Sequence, residues 1–385
     1  MTMTDEQTGT LDAVTRALAQ HAEEHDRAAT FPAEGIATVH AAGLLTATVG
    51  TRYGGPGGGL AQTVRILRAL GQGDPSVALI SSMTLLAHAL QDRRPSWPDS
   101  LYARAVAESA DRPVLINSLR VEPELGTPAR GGLPATTARA VAGGWELTGR
   151  KIFSTGAPGL RWMVVFARTA DEPARVGSFL VRTDSPGITI EPTWDHLGLR
   201  ASRSDDVIFA GTPVPGDAVT ALAEPAAAGP PPAEVMLWNA LVIPAIYLGV
   251  AAAARDWLTR FLTERTPSSL GRPLATLPRF QEALGEIEAV LTAADDLVAG
   301  LAARADAGDQ AAAAHAGIAK LTATRAAISA VDQAVALIGN NALTRRNPLE
   351  RHLRDVLCSR VHTPQDDSVT TAAGRSAFAA IGFRP

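Results

Sequence analysis

The chain has 385 residues, 46% hydrophobic and 19% charged, the balance of an ordinary globular protein too long for one simple core. A formal net charge of −4 excludes the basic field of a nucleic-acid binder. The lone cysteine, Cys358, excludes an internal disulfide and any multi-cysteine metal site, so no metal is expected. The opening sequence MTMTDEQTGTLDAVTRALAQ shows neither a basic n-region nor an apolar h-region, and a cytoplasmic enzyme is expected. Lysine occurs only at Lys151 and Lys320, and arginine carries the remaining positive charge, which reads as coding bias.

Residues 1–112 read as a helical domain. Leu11, Val14, Leu18 and His21 fall on one helical face. A helix over roughly 61–71 follows the glycine run YGGPGGG, and another covers DPSVALISSMTLLAHAL with Asp74 as N-cap and Pro75 at the first helical position. DRRPSWPD (92–99) interrupts the pattern before one more short helix.

From 113 to 223 the texture turns to β: PVLINSL, TTARAVAGGWELTGRKIF, RWMVVFAR, VGSFLVRT and ITIEPTW are short runs divided by glycine, proline and aspartate turns. This spacing predicts a small antiparallel barrel or sandwich. GWELTGRKIFSTGAPGLRWMVVFART (144–169) reads as a strand, a polar turn at Ser154-Thr155-Gly156, and two further strands. No GxGxxG opens a helix after a strand, so a Rossmann site has no support. EPAAAGPPPAE (224–234) reads as a proline-stiffened linker. Residues 235–385 then predict a four-helix bundle with helices at about 235–264, 278–306, 310–340 and 348–363. The apolar LVIPAIYLGVAAAA (241–254) is short for a membrane span and contains Pro244, so it predicts a buried core helix.

This α–β–α order resembles the acyl-CoA dehydrogenase superfamily over nearly the whole chain. Four stretches carry the resemblance: YGGPGGGLAQTVRILRALGQGDPSVAL (53–79), GWELTGRKIFSTGAP, WDHLGLRASRSDDVIFAGTPVP (194–215) and ALIGNNALTRRNPLERHLRDV (336–356). The implied fold is α+β: an N-terminal helical domain, a middle antiparallel β-barrel or sandwich, and a C-terminal four-helix bundle. The implied cofactor is FAD, with FMN as the alternative. The resemblance puts Phe153 on the flavin ring edge, the Ser154–Thr155 hydroxyls near flavin N5, and the Thr155 and Gly156 amides near O4, where donors favour charge on a reduced flavin. It also implies that Arg265 reaches a flavin pyrophosphate across a subunit contact, with Gly339 and Asn340 near the diphosphate or ADP part. A homotetramer or homodimer follows from that shared site.

The chain departs from the family at the base. The carboxylate that removes an acyl thioester's α-proton comes from one of two places, matched here by Thr363 and Asn239. Neither is glutamate. Asp366, in the C-terminal loop CSRVHTPQDD, is one replacement, and an aspartate serves the superfamily's nitroalkane-oxidising branch. The other reading follows WDxLGxRASxS and His362, which resemble the flavin-dependent monooxygenase branch that includes dibenzothiophene monooxygenase and two-component phenol hydroxylases. Those enzymes take reduced flavin from a separate reductase and oxygenate a small organic substrate through a C4a-hydroperoxide. There Thr155 supports the flavin and His362 manages the proton at a pKa near neutral. The alternative is FAD-dependent α,β-dehydrogenation of an acyl thioester with Asp366 as base and an electron-transfer flavoprotein as partner. A non-catalytic scaffold that kept the fold is the reading from another class. Met83, His88 and Asn239 are candidate pocket residues, though a histidine on an apolar helical face is more often a core residue. His196 reads as structural or exposed.

Overall fold

The computed structural model describes residues 5–125, 132–225 and 232–383. Most of the 224–234 segment therefore lies outside the described residues. Five helices come first: α1 (Asp5–Ala28), α2 (Ala33–Ala41), α3 (Leu60–Gly73), α4 (Pro75–Arg93) and α5 (Asp99–Glu108). The buried stripe of α1 is Leu11, Val14, Leu18 and Ala22, while His21 stays outside, because the stripe steps by four rather than three after Leu18. Asp74 caps α4 as expected: its carboxylate accepts from the amides of Ser76 (2.8 Å) and Val77 (3.3 Å).

Eight strands follow: β1 (Leu115–Leu119), β2 (Thr137–Val141), β3 (Gly144–Lys151), β4 (Leu160–Thr169), β5 (Val176–Arg182), β6 (Ile188–Glu191), β7 (Asp206–Pro215) and β8 (Val219–Ala223). They form one sheet in the order β6-β7-β3-β2-β4-β5-β8, with β1 on β4. The sheet is mixed rather than purely antiparallel, since β1 and β2 both run parallel to β4. Parallel pairing needs a long return path, and the β2–β3 hairpin and the polar turn supply it between β1 and β4. Residues 144–169 hold two strands, not three, because RWMVVFART continues as the single strand β4.

The C-terminal part contains α6 (Ala233–Glu264), α7 (Pro278–Asp306), α8 (Gln310–Ile338), the short α9 (Asn340–Leu343), α10 (Leu349–Leu357) and α11 (Asp366–Ala380). α11 corrects the expectation of a C-terminal loop: Asp366 and Asp367 open its first turn, where acidic residues favour the helix dipole. α6 and α8 are long and apolar enough to cross a membrane by composition, but Ala240–Ala252 of α6 are all buried inside the protein. α3 and α6 cross at backbone contact. A Cβ on Gly71 would lie 2.3 Å from the Ile246 carbonyl oxygen, and one on Gly249 2.3 Å from that of Arg68. Glycine at both positions is what lets the N-terminal helices seat on the bundle.

Candidate active site

The Ser154-Thr155-Gly156 turn closes β3, and it is held from beneath by the segment 193–206. Ser154 N–H donates to the Asp205 carbonyl (3.2 Å) and Gly156 N–H to that of Ser202 (2.8 Å). Asn117 of β1 donates to the Thr155 carbonyl (3.0 Å). Four non-glycine residues among those described have positive φ, and three of them, Phe153, Leu199 and Arg203, lie in this turn and the facing segment. Bulky residues held left-handed cost energy and concentrate at functional sites, so the backbone itself marks the place.

Side chains around the turn divide into a hydroxyl chain and an aromatic group. Ser202 and Ser204, both buried, share a hydrogen bond of 2.9 Å, and the Ser204 hydroxyl donates to Thr155 Oγ1 (3.1 Å). The Thr155 hydroxyl hydrogen has no acceptor among the described residues. Ser154 Oγ is buried with no partner among the described residues. Phe153 is 52% exposed and stands edge-on to Trp194 and His196, which stack on each other with centroids 3.6 Å apart. These rings, with Pro123, Arg150, Ile152, Thr193, Ser204 and Asp206, line a cleft of about 360 Å3. One expectation is corrected here. The Thr155 and Gly156 amides are not free donors, since Thr155 N–H is taken by the Phe153 carbonyl (3.0 Å) and Gly156 N–H by Ser202.

A buried ion pair fixes the wall of this cleft. Lys151 Nζ lies 2.5 Å from Glu122 Oε1, and both side chains are almost wholly buried. Glu122 also accepts from the amides of Ala135 (2.5 Å) and Thr136 (3.1 Å). Burial pushes the lysine down to about 8, against the opposing pull of Glu122.

The segment 195–206 ties the turn to the C-terminal bundle. Its Leu199 N–H donates to Asp355 of α10 (2.7 Å), a carboxyl that burial pushes up to about 7. The 3-10 turn Cys358–Val361 then leads to His362. The His362 ring is half-buried, and its Nε2 lies 2.6 Å from the hydroxyl of Tyr247, a fully buried residue of α6. Packing around the ring, reinforced by the Lys320 ammonium, pushes His362 down to about 4. It is therefore neutral at pH 7 rather than poised near neutrality. Asp366 lies 3.4 Å from Lys320 Nζ and 3.3 Å from Arg325 Nε, so its carboxylate is committed to two cations.

The other expected residues scatter. Met83 is half-buried on α4 and Asn239 half-buried on α6. His88 belongs to the core: it is fully buried, its Nδ1 meets the Tyr102 hydroxyl (2.9 Å), and burial pushes it down to about 4. Arg265 is exposed at the end of α6, its guanidinium without a partner among the described residues, and Gly339 and Asn340 are exposed at the α8–α9 turn. Trp194 and Ser204 are the first and last residues of WDxLGxRASxS and Lys320 is one of the two lysines, so Tyr247 is the site residue that the sequence reading leaves out. Tyr247 had a signal, being the one polar side chain in the apolar run 241–254.

Three family models for acyl-CoA dehydrogenase match the chain: the N-terminal domain over residues 5–92, the middle domain over 121–212 and the C-terminal domain over 241–366. A relative from Bacillus subtilis (strain 168), described as a putative acyl-CoA dehydrogenase, YdbM, is 34% identical over 93% of both chains. L-evernosamine nitrososynthase of Micromonospora sp. is 29% identical over 88% of this chain and 82% of its own. The solved structure of KijD3 in complex with FMN and an amino-keto sugar nucleotide is 28% identical, covers 98% of this chain and 95% of its own, and has a TM-score of 0.78. The chain belongs to the acyl-CoA dehydrogenase family, whose members are flavin-dependent oxidoreductases.

Proposed function

We propose that the protein is a flavin-dependent monooxygenase that places one oxygen atom on a small organic substrate, with an amine on a nucleotide-linked sugar as the favoured class. The observation that carries this reading is the state of the two candidate proton-handling groups. Asp366 is paired with Lys320 and Arg325, while His362 is neutral and bonded to Tyr247. Abstracting a thioester α-proton calls for a free carboxylate of the family type, whereas oxygenating an amine does not. The nitrososynthase and KijD3 likenesses supply the substrate class.

The cleft suits a flavin ring: Phe153 gives it an exposed aromatic edge, and the Thr155 hydroxyl, held by Ser204 of the cleft wall, stands in the turn beside it. When bound and reduced, the flavin supplies two electrons and the activated oxygen, one atom passing to the amine and the other leaving as water. Ser204 holds Thr155 so that its hydrogen points away from the protein's own acceptors. Arg265, exposed and unpartnered, suits the cofactor phosphates of a second copy in a homotetramer or homodimer. Because the cofactor must arrive reduced, a flavin reductase is the fitting partner, and either FMN or FAD is accepted.

Dehydrogenation of an acyl thioester, the reading favoured by the 34% identical relative, stands as the competitor. Protein loaded with anaerobically reduced FMN is mixed with 18O2 and an amino-sugar nucleotide, and the product is weighed by mass spectrometry. One 18O atom in the product is expected, reduced about 100-fold in Thr155→Val. Anaerobic bleaching of the oxidised flavin by an acyl thioester, with no 18O incorporation, would overturn the proposal.

A further inference from the structure

We infer that Tyr247 is a positioning residue: its hydroxyl donates to His362 Nε2 and holds the ring in the tautomer that carries its proton on Nδ1. The inference deepens the oxygenase reading, since it states what His362 presents to a ligand. Tyr247 sits midway along α6 with no exposed surface, and its hydroxyl has one partner among the described residues, His362 Nε2 at 2.6 Å. The rings are tilted at 42° with centroids 5.7 Å apart, so the contact is through the hydroxyl rather than by stacking.

Either atom of such a contact could donate in principle. The chemistry decides. Burial pushes the Tyr247 phenol well above its ordinary value, helped by Cys358 and Asp355, so it stays protonated. Among the described residues, the charged and titratable groups that act on the pair are Lys320 of α8, Asp355 of α10 and Cys358. Lys320 is occupied by Asp366, and the Cys358 thiol donates to the Arg354 carbonyl (3.6 Å). Between two neutral partners, phenol is the stronger donor and the imidazole lone pair the stronger acceptor. A proton on Nε2 would instead leave the buried phenol hydrogen with no acceptor, which is costly. Nδ1 takes no hydrogen bond from the described residues, so its N–H is the ring group offered to a ligand. On this account His362 is a neutral donor rather than a base.

The test is spectroscopic and needs no turnover. Protein labelled with 15N-histidine is examined by solid-state NMR at pH 7.5, with His362 assigned by its loss in His362→Asn. A protonated Nδ1 and an unprotonated, hydrogen-bonded Nε2 are expected. In Tyr247→Phe the hydrogen-bond shift at Nε2 should vanish, and the pKa of His362 should rise by about half a unit to one unit, because the neutral ring loses its donor. A wild-type spectrum with the proton on Nε2, or a Tyr247→Phe spectrum matching wild type, overturns the inference. If Tyr247→Phe does not fold, the wild-type spectrum alone decides the tautomer. A failed 18O experiment beside the expected spectrum removes the oxygenase reading and leaves the pair in place.

Discussion

Gly249→Ala tests whether the backbone contact between α3 and α6 holds the site together. The added Cβ would sit 2.3 Å from the Arg68 carbonyl oxygen, 2.6 Å from the Gln72 nitrogen and 2.8 Å from the Gly71 carbonyl carbon. All three are main-chain atoms, so no side-chain rotation relieves the clash, and the helices must part by about 1 Å to restore ordinary contact. Overpacking of this kind costs about 1–3 kcal/mol. Alanine's better helix propensity returns about 1 kcal/mol, leaving a net loss of up to about 2 kcal/mol, toward the upper end because all three contacts are main-chain atoms. Gly300→Ala, on α7, is the control: no atom lies within 4 Å of its added Cβ, so only the propensity gain applies. Differential scanning fluorimetry should therefore lower the melting temperature of the first variant by a few degrees and raise that of the second. Tyr247 lies two residues from Gly249, so the first variant should also weaken the 2.6 Å contact with His362. A Gly249→Ala protein that melts at or above wild type would refute the reasoning, because the helices could then separate without cost.

Two further outcomes follow from buried charge. Lys151→Met leaves Glu122 without its cation, and should cost about 3–5 kcal/mol in urea unfolding; the double variant with Glu122→Gln should recover part of that loss, and no recovery would mean that the pair is not coupled. His88, His352 and His362 are held at about 4, 3 and 4, below the ordinary histidine value. The unfolded chain takes up those protons and the folded one does not, so stability present above pH 6.5 is lost as pH falls toward 4. Asp355, raised to about 7, and Asp74, also raised by burial, work in the opposite direction, but three histidines outweigh two carboxyls. Unfolding midpoints measured from pH 7 to 4.5 should fall, with a slope about one proton smaller in His88→Gln; a flat profile would contradict the assignment.

Much of the fold was legible because its signals are local. Asp74-Pro75 announces a helix start through the hydrogen bonds its own carboxylate makes, and the Val-, Ile- and Thr-rich runs announce strands through their short spacing. α11 is hidden in the sequence because Pro364 and the threonine-rich stretch outweigh the acidic pair that opens it. The sequence offers His88 as a pocket residue, yet what it meets is Tyr102, from a different helix. The scarcity of lysine looked like coding bias. Both lysines prove to be fully buried against carboxylates, Lys151 on Glu122 and Lys320 on Asp366, positions that no count of residues reveals.

By itself, then, the sequence determined the order of helical and β regions, the polar turn at 154–156 and the missing glutamate, since each depends on neighbouring residues or on a position in the chain. Tertiary structure alone decided what surrounds each candidate proton-handling group. Asp366 meets cations from α8, 41 and 46 positions away, and His362 meets Tyr247 from 115 positions away. A pKa and a hydrogen-bond partner are set by what burial brings together, and that exists only once the helices have packed.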